Sequence, residues 1–307
     1  MQAYEDSFEK YNIEDGHFVL KDQLSISLKK ELENNKVTLY SDFYKEEQTD
    51  HDLDGTSDST IRIYKDREQV NTVCLMEGKL PVGKEEIAID RMYAQNNDIQ
   101  TGDQIQAGGR ELTVTGLVAL PDYSALFSDN NDIMFDAVKF SVAVMTEEGY
   151  EEFPEADEKY WYCGMYEKKP ADDVAEKELS EDFLEVLAKE TSRAGIDMDC
   201  FVPRYANQAI QFTGSDMGGD RTMMIVLLYI LIVILAFVFS VMIKHTIAKE
   251  AAVIGTLRAS GYTRGELLRH YLAMPMIVTL LAAVVGNILG YTFFKDVAAA
   301  MYYGSYS

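Results

Sequence analysis

The sequence predicts an α+β extracytoplasmic domain followed by α-helical transmembrane segments, with two such helices in this chain. Two long apolar runs, at residues 222–243 and 271–294, lie near the C-terminus. The 220 residues before them are acidic and mostly polar, and strand patterns alternate there with occasional helix patterns. A short basic stretch separates the two runs. This layout is typical of a membrane protein with a large domain on one side and a short loop on the other.

The acidic region contains both kinds of secondary-structure pattern. Residues 20–35 carry leucine and isoleucine at helical spacing and end in two asparagines, which predicts an amphipathic helix. A second helix is predicted at residues 180–194. This mixture indicates an α+β domain and is compatible with two lobes. Alternation of apolar and polar residues predicts strands at 37–44, 59–67, 86–90, 109–120 and 138–145.

The two apolar runs have the length and composition of membrane helices. The first has no charged residue in 22 positions. At 1.5 Å per residue it spans roughly 33 Å, enough for a hydrocarbon core of about 30 Å. The second run contains Pro275 and two glycines, which membrane helices tolerate when neighbouring helices satisfy the main chain.

The basic loop sets the orientation. Short loops rich in Lys and Arg are retained in the cytoplasm, so both flanks face outward and the chain is a multi-pass protein of the cell membrane, in contact with membrane lipid. Residues 208–219, with three glycines, are expected to form a hinge. The predicted organisation is an extracytoplasmic domain at 1–220, a transmembrane helix at 221–243, a cytoplasmic coupling elbow at 244–270, a second transmembrane helix at 271–294 and an extracytoplasmic tail at 295–307.

The charge of the outer domain excludes some partners. The chain carries a net charge of −23. Residues 221–307 hold seven Lys and Arg against three Asp and Glu, a net charge of +4, which leaves −27 for residues 1–220. So acidic a domain is not expected to bind nucleic acid or anionic lipid. Dispersed histidines and the absence of a G-x-S-x-G motif predict no catalytic site, no metal and no cofactor.

Residues 78–84 match the first seven positions of the phosphate-binding G-x-x-x-x-G-K-[ST] loop. The eighth position is Glu85, whose carboxylate would repel phosphate, and Pro81 removes a main-chain donor. We interpret this segment as an ordinary turn. If ATP drives the protein, another chain hydrolyses it.

A second acidic motif resembles a calcium loop. Asp50, Asp52 and Asp54 form D-x-D-x-D-G with Gly55, and Asp58 occupies the ninth position. The twelfth position lacks the bidentate Glu, and the flanks have strand patterns. A solvated hairpin tip is the favoured interpretation, and weak calcium binding stays open.

The three cysteines are scattered and odd in number, so they do not predict a disulfide framework. Cys163 lies in an aromatic strand-like run and is expected to be a buried thiol. A single disulfide is left open.

The loop between the apolar runs has strong local signals. A helix is predicted up to residue 259 or 260, with a stop at Gly261. Thr263 followed by Glu266 is a capping box that starts the next helix. The loop is therefore expected to be a rigid helical elbow. Its exposed residues either dock a partner or anchor the helix ends at lipid headgroups.

Residues 250–269, EAAVIGTLRASGYTRGELLR, resemble the signature of FtsX-like ABC transporter permeases, the family that includes MacB-type exporters. The outer domain resembles the same family at 78–81, 86–90, 102–103, 114–116 and 121–123, and the resemblance covers roughly residues 70–295. It implies a coupling helix that contacts a separate cytoplasmic ABC ATP-binding subunit. The coupling residues it implies are Glu250, Gly255, Leu257, Arg258, Gly261, Tyr262 and Arg264.

The resemblance also implies helices that this sequence lacks, one before the outer domain and one after the second apolar run. We therefore expect the chain to be a piece of a larger permease. Gly286 and Gly290 form a G-x-x-x-G pattern suited to packing in a homodimer or against a second permease half.

The favoured function is a non-catalytic ABC transporter permease subunit that couples ATP hydrolysis by a separate ATPase to movement of the outer domain, for export or mechanotransmission. The alternatives are a membrane-anchored ligand sensor or adhesion module without pumping, and a nonfunctional gene fragment. The transported substrate stays open.

Overall fold

The structure is a computed structural model that describes residues 2–65, 67–154 and 158–306. The chain divides into two compact units. We call Met1–Met217 with Ser305–Ser307 the outer unit and Gly218–Gly304 the helical unit. The helices are α1 Gln2–Lys10, α2 Ile26–Glu33, α3 Arg91–Asn96, α4 Glu147–Glu151, α5 Asp173–Ala194, α6 Gln208–Lys249, α7 Ala251–Ala259, α8 Arg264–Leu289 and α9 Lys295–Tyr303. The strands are β1 Gly16–Leu20, β2 Val37–Ser41, β3 Tyr44–Asp50, β4 Ser59–Lys65, β5 Cys74–Gly78, β6 Glu86–Asp90, β7 Gln104–Ala107, β8 Arg110–Ala119, β9 Phe140–Met145, β10 Glu158–Tyr166 and β11 Met198–Pro203.

The strands of the outer unit join in one sheet. Its order is β11-β1-β10-β3-β4-β9-β6-β8-β5, with β2 beside β10 and β7 beside β3 and β8. The pairs β4–β9 and β6–β8 are parallel, and the other pairs are antiparallel. Strands and helices are thus mixed without a regular alternation, which confirms the predicted α+β class.

Two hydrophobic cores divide the outer unit into lobes. In the first lobe, α2 and α5 pack on one face of β1, β2, β10 and β11, and the core includes Phe18, Leu32 and Leu187. The second lobe has a larger core built on β4, β6, β8 and β9, in which residues such as Ile61 and Val142 are fully buried. The two-lobed arrangement suggested by the sequence is therefore present.

Local sequence signals placed most elements within a few residues. Strand β6 has the bounds that the sequence predicted. The first predicted helix is shorter than expected, because Leu20 belongs to β1 and α2 begins only after its N-cap, Ser25. Ile26 is 79% exposed and does not belong to the buried face. Helix α5 begins earlier than expected, at Asp173, with Asp172 as its N-cap.

The hinge expected at residues 208–219 is wrong. These residues form the first part of α6, a continuous helix of 42 residues. A glycine inside a helix costs about 1 kcal/mol relative to alanine. At Gly214 the reason is close packing, because an added Cβ would lie 2.6 Å from the ring of Tyr4. The Tyr4 hydroxyl donates a 2.7 Å hydrogen bond to the Ile210 carbonyl, which fixes α1 against the start of α6.

A buried ion cluster lies in the outer unit. The guanidinium of Arg67 pairs with Asp42 at 2.9 Å and with Asp122 at 2.7 Å. It also lies 3.7 Å from the ring centroid of Tyr64. Burial raises the pKa of Asp122 to about 7 although Arg67 opposes that rise. The cluster ties the segment after β4 to the β2–β3 connection and to the turn after β8.

The helical unit consists of long apolar helices. Helix α6 has 42 residues, and the helical segment Arg264–Tyr303 has 40. None of the residues in their most apolar windows is buried within the chain. At 1.5 Å per residue each is about 60 Å long, more than a bilayer core requires. A π-helical turn at Gly290–Phe294 joins α8 to α9, so the expected tail is helical as far as Tyr303.

Candidate coupling site

The turn in the middle of the elbow begins with a tightly closed helix end. Helix α7 ends at Ala259, and Gly261 follows with φ +102°. The Gly261 N–H donates to the Arg258 carbonyl at 3.1 Å, and the Tyr262 N–H donates to the Leu257 carbonyl at 3.2 Å. This pair of bonds is a Schellman motif, which needs a left-handed residue where glycine has no steric cost. The stop predicted at Gly261 is confirmed.

The next helix begins two residues later with the predicted capping box. The Thr263 hydroxyl accepts a hydrogen bond from the Glu266 N–H at 3.3 Å. The Glu266 carboxylate accepts from the Thr263 N–H at 2.8 Å. The main-chain N–H of Thr263 and its hydroxyl lower the pKa of Glu266. Both helix ends at the turn are therefore closed, and the turn has little freedom to rotate.

Glu250 lies near the start of the elbow, between α6 and α7. Its main chain (φ −98°, ψ 14°) separates α6 from α7. Its side chain makes no cap bond to α7 and instead accepts a 2.5 Å hydrogen bond from the Tyr271 hydroxyl on α8. Sequence analysis missed Tyr271, because a contact over 21 positions leaves no periodic signal.

A second hydrogen bond joins α6 to α9, the helix that continues α8. The Tyr302 hydroxyl on α9 donates to the carboxylate of Asp220 on α6 at 2.7 Å. Together with Glu250–Tyr271, this bond connects the two long helical segments, Gln208–Lys249 and Arg264–Tyr303, near both ends. We call these two segments the helical hairpin.

The predicted coupling residues fall on two sides of the elbow. Arg258, Tyr262 and Arg264 are exposed, and Tyr262 has 52% of its surface accessible. Neither arginine forms an ion pair with any residue that the structure describes. Leu257 is half-buried on the inner side, and Gly255 faces open space.

The G-x-x-x-G pattern makes no close contact with any residue that the structure describes. Among these residues, a Cβ added at Gly286 or Gly290 would meet no atom within 4 Å. Packing at these glycines therefore stays a prediction about a partner outside the chain.

The phosphate-loop-like segment has the geometry of a turn. The Glu86 carboxylate accepts from the main-chain N–H groups of Val82 at 2.8 Å and Gly83 at 3.1 Å. These are donors of the kind that a phosphate would need, and an anion of the chain already occupies them. The segment also leads into β6 rather than into a helix.

The acidic motif forms the tip of the β3–β4 hairpin. Carboxylate oxygens of Asp50, Asp52 and Asp58 lie within 4.8 Å of one another. Asp50 accepts from the Asp54 and Gly55 N–H groups, so part of its acceptor capacity is used inside the loop. Calcium binding here stays a prediction.

Cys163 is fully buried, as the sequence predicted. Cys74 and Cys200 are half-buried, and all three cysteines are free. The disulfide that the sequence left open is not formed.

Comparison with known proteins identifies the helical unit. Residues 225–307 match the family model described as FtsX-like permease C-terminal. The C-terminal part of this chain is therefore similar to the C-terminal part of FtsX-like permeases. The match includes most of α6, the elbow and both parts of the second long helix, and together with the apolar character of these helices it fits a location in a membrane. The comparison with curated proteins gives no match.

Part of this chain is also similar to most of the length of three solved structures. The first is the extracellular domain of the noncanonic ABC-type transporter YknZ from Gram-positive bacteria, with 12% identity, 60% of this chain and 98% of that chain covered, and a TM-score of 0.35. The second is the periplasmic region of MacB from Actinobacillus actinomycetemcomitans, with 10% identity, 64% and 93% covered, and a TM-score of 0.36. The third is a domain of a permease protein from Porphyromonas gingivalis, with 12% identity, 62% and 90% covered, and a TM-score of 0.31.

Proposed function

We propose that this chain is the permease subunit of an ABC transporter, in which a separate cytoplasmic ATP-binding subunit docks on the elbow and its ATP hydrolysis moves the outer unit. The outer unit faces the outside of the cell membrane, as the basic loop predicts. Export and mechanotransmission are both compatible with this mechanism.

The closed elbow is the observation that carries the proposal. A surface that receives force from a partner must move as one body, and both helix ends at Gly261 and Thr263 are capped. The exposed Arg258 and Arg264 suit an acidic groove on the partner, because guanidinium groups bind carboxylates in a fixed geometry. A passive sensor has no need of such a closed, exposed elbow.

The helices supply the path from the elbow to the outer unit. Helix α6 begins among buried residues of the outer unit, such as Ile210, and continues without a break to Lys249. Glu250 then ties the elbow to α8 through Tyr271. Coupling at a distance requires such a stiff element with two positions. Gly286 and Gly290 are available for a second copy or a second permease half.

The test is capture of the ATPase from native membranes. The tagged chain is purified in mild detergent, and mass spectrometry identifies captured proteins that contain a complete G-x-x-x-x-G-K-[ST] loop. The double variant Arg258→Glu with Gly261→Pro reverses an exposed charge and removes a capping N–H, so capture should fall at least about tenfold. Lys295→Glu, a charge reversal far along the second helix, is the matched control and should retain capture.

Two outcomes contradict the proposal in different ways. Full capture by the double variant, with normal membrane insertion, rejects docking on the elbow. Absence of any ATP-binding protein with the unaltered chain rejects the ABC assignment and favours the sensor or adhesion function.

A further inference from the structure

The outer unit contains a cleft of about 450 Å³ that the coupling function does not use. Its floor is the face of β10, β1 and β11 that α2 and α5 leave uncovered. Val19 lies opposite Trp161 on one neighbouring strand and opposite Cys200 on the other, so these three side chains form a row across the floor. We call them the floor row.

The opposite wall belongs to the second lobe and combines aromatic with polar side chains. Tyr44, Tyr123 and Phe127 line it. Arg62 also lines it, and three hydrogen bonds hold its guanidinium in place: to Glu46 at 2.8 Å, to the Tyr123 hydroxyl at 3.0 Å and to the Ser128 carbonyl at 2.5 Å. The volume is that of a binding site for a small ligand, and the lining offers aromatic surface together with many polar groups.

The cleft reaches the open edge of the sheet. Among the described strands, β11 pairs only with β1 and ends the sheet order. Four consecutive residues, 199–202, line the cleft. Because side chains of a strand alternate between its two faces, a cleft lined by all four also contacts the main chain of this edge strand. Such an edge offers a row of N–H and C=O groups to an added strand.

The floor row contains a donor without an acceptor. The indole N–H of Trp161 is buried, and no acceptor for it exists within residues 2–65, 67–154 and 158–306. Its ring stacks on His17 with a centroid distance of 3.7 Å. Because this N–H does not reach solvent, a ligand in the cleft would contact the ring of Trp161 rather than its N–H.

We propose that this cleft binds an extended peptide by strand addition to β11, with an apolar or aromatic side chain of the peptide on the floor row. The strand edge favours a peptide over a saccharide, because a saccharide cannot continue the ladder of main-chain hydrogen bonds. The rim carries Lys159 together with Asp129 and Asp199, so it does not select a strongly charged ligand. The proposal does not depend on the ATPase partner.

The chain provides its own reporter. Trp161 is the only tryptophan, so the emission of the full chain in detergent reports on the cleft alone. The probe is a mixture of tryptophan-free hexapeptides blocked at both ends, matched in length to the six residues of β11. The expected result is a saturable change of emission. The same mixture with N-methylated main chains should bind about tenfold more weakly, since it lacks the ladder donors.

Two variants locate the effect. Cys200→Phe fills the floor row and should weaken peptide binding, whereas Cys74→Phe, a substitution of the same kind outside the cleft, should not. Unchanged emission with the blocked peptides overturns the proposal, and so does an equal response to the N-methylated peptides. A response to a chito-oligosaccharide mixture alone assigns the cleft to saccharides. Equal binding by Cys200→Phe places the peptide elsewhere. All these readouts are independent of ATPase capture, so failure of either proposal is recognised separately.

Discussion

Replacing Arg67 with methionine tests the buried ion cluster of the outer unit. The arginine side chain is 2% exposed, and its partners Asp42 and Asp122 are 7% and 3% exposed. Removing the cation leaves two carboxylates out of contact with water and without their counter-ion. Breaking a buried ion pair from one side costs about 3–5 kcal/mol of unfolding free energy, and we expect Arg67→Met to fall in this range at pH 8.

The cost should depend on pH in a defined direction. Burial raises the pKa of both carboxyl groups, and Arg67 is the main group that opposes this rise. Without Arg67 the pKa values of Asp42 and Asp122 rise further. When the pH is lowered, both carboxyl groups are therefore protonated more readily, and the repulsion between their charges is relieved. The loss of stability should therefore be smaller at pH 5 than at pH 8.

Urea unfolding of the full chain in detergent measures this loss, with the emission of Trp161 as the probe of the outer unit. Lys177→Met is the control, since Lys177 and Glu181 form an exposed pair and its loss should change stability little. Replacing Arg67, Asp42 and Asp122 together with apolar residues should recover most of the loss. A loss below about 1 kcal/mol at pH 8, or an equal loss at both pH values, would refute the reasoning.

Three further predictions concern Asp122, the elbow and the orientation of the chain. Burial raises the pKa of Asp122 in the folded state to about 7, well above that of an unfolded aspartate, so the folded state binds the extra proton and stability falls as pH rises through this window. Asp122→Asn should lessen that fall, and urea midpoints at pH 5 and pH 8 measure it; an unchanged slope would contradict the assignment. Gly261→Ala should strain the left-handed position by about 1–2 kcal/mol and speed amide hydrogen exchange at Tyr262, whereas Gly265→Ala should not. Equal exchange in both variants would show that the motif does not close the elbow. In a chain with Cys74 and Cys200 changed to serine, an impermeant maleimide on whole cells should label Asp58→Cys and spare Gly265→Cys until the membrane is opened. The reverse pattern would invert the proposed orientation.

Sequence reasoning succeeded where the signal was local. The capping box needs only Thr263 and Glu266, three positions apart, and its chemistry allows one interpretation. Strand β6 is a short apolar run between Glu86 and Asp90, so its bounds could be predicted. The membrane helices were readable because a long run of apolar side chains has few other uses.

Features built from distant segments could not be predicted in the same way. The floor row joins Val19, Trp161 and Cys200, which meet only after three strands far apart in the chain have paired in register. The glycines near the start of α6 suggested flexibility, because nothing in the sequence shows that Gly214 makes room for the ring of Tyr4. The type of a residue sets its helix propensity, and tertiary packing decides whether the residue is helical in the folded protein.

The hydrogen bonds at the two ends of the helical hairpin restrict how the hairpin can move. Asp220–Tyr302 joins α6 to α9, and Glu250–Tyr271 joins the residue that follows α6 to α8. Sliding one helix along its neighbour by a single turn, about 5.4 Å, would break both bonds at once. Tilting or shifting the two helices together breaks neither. In the proposed coupling, a force applied to one helix at the elbow would therefore displace the two helices together.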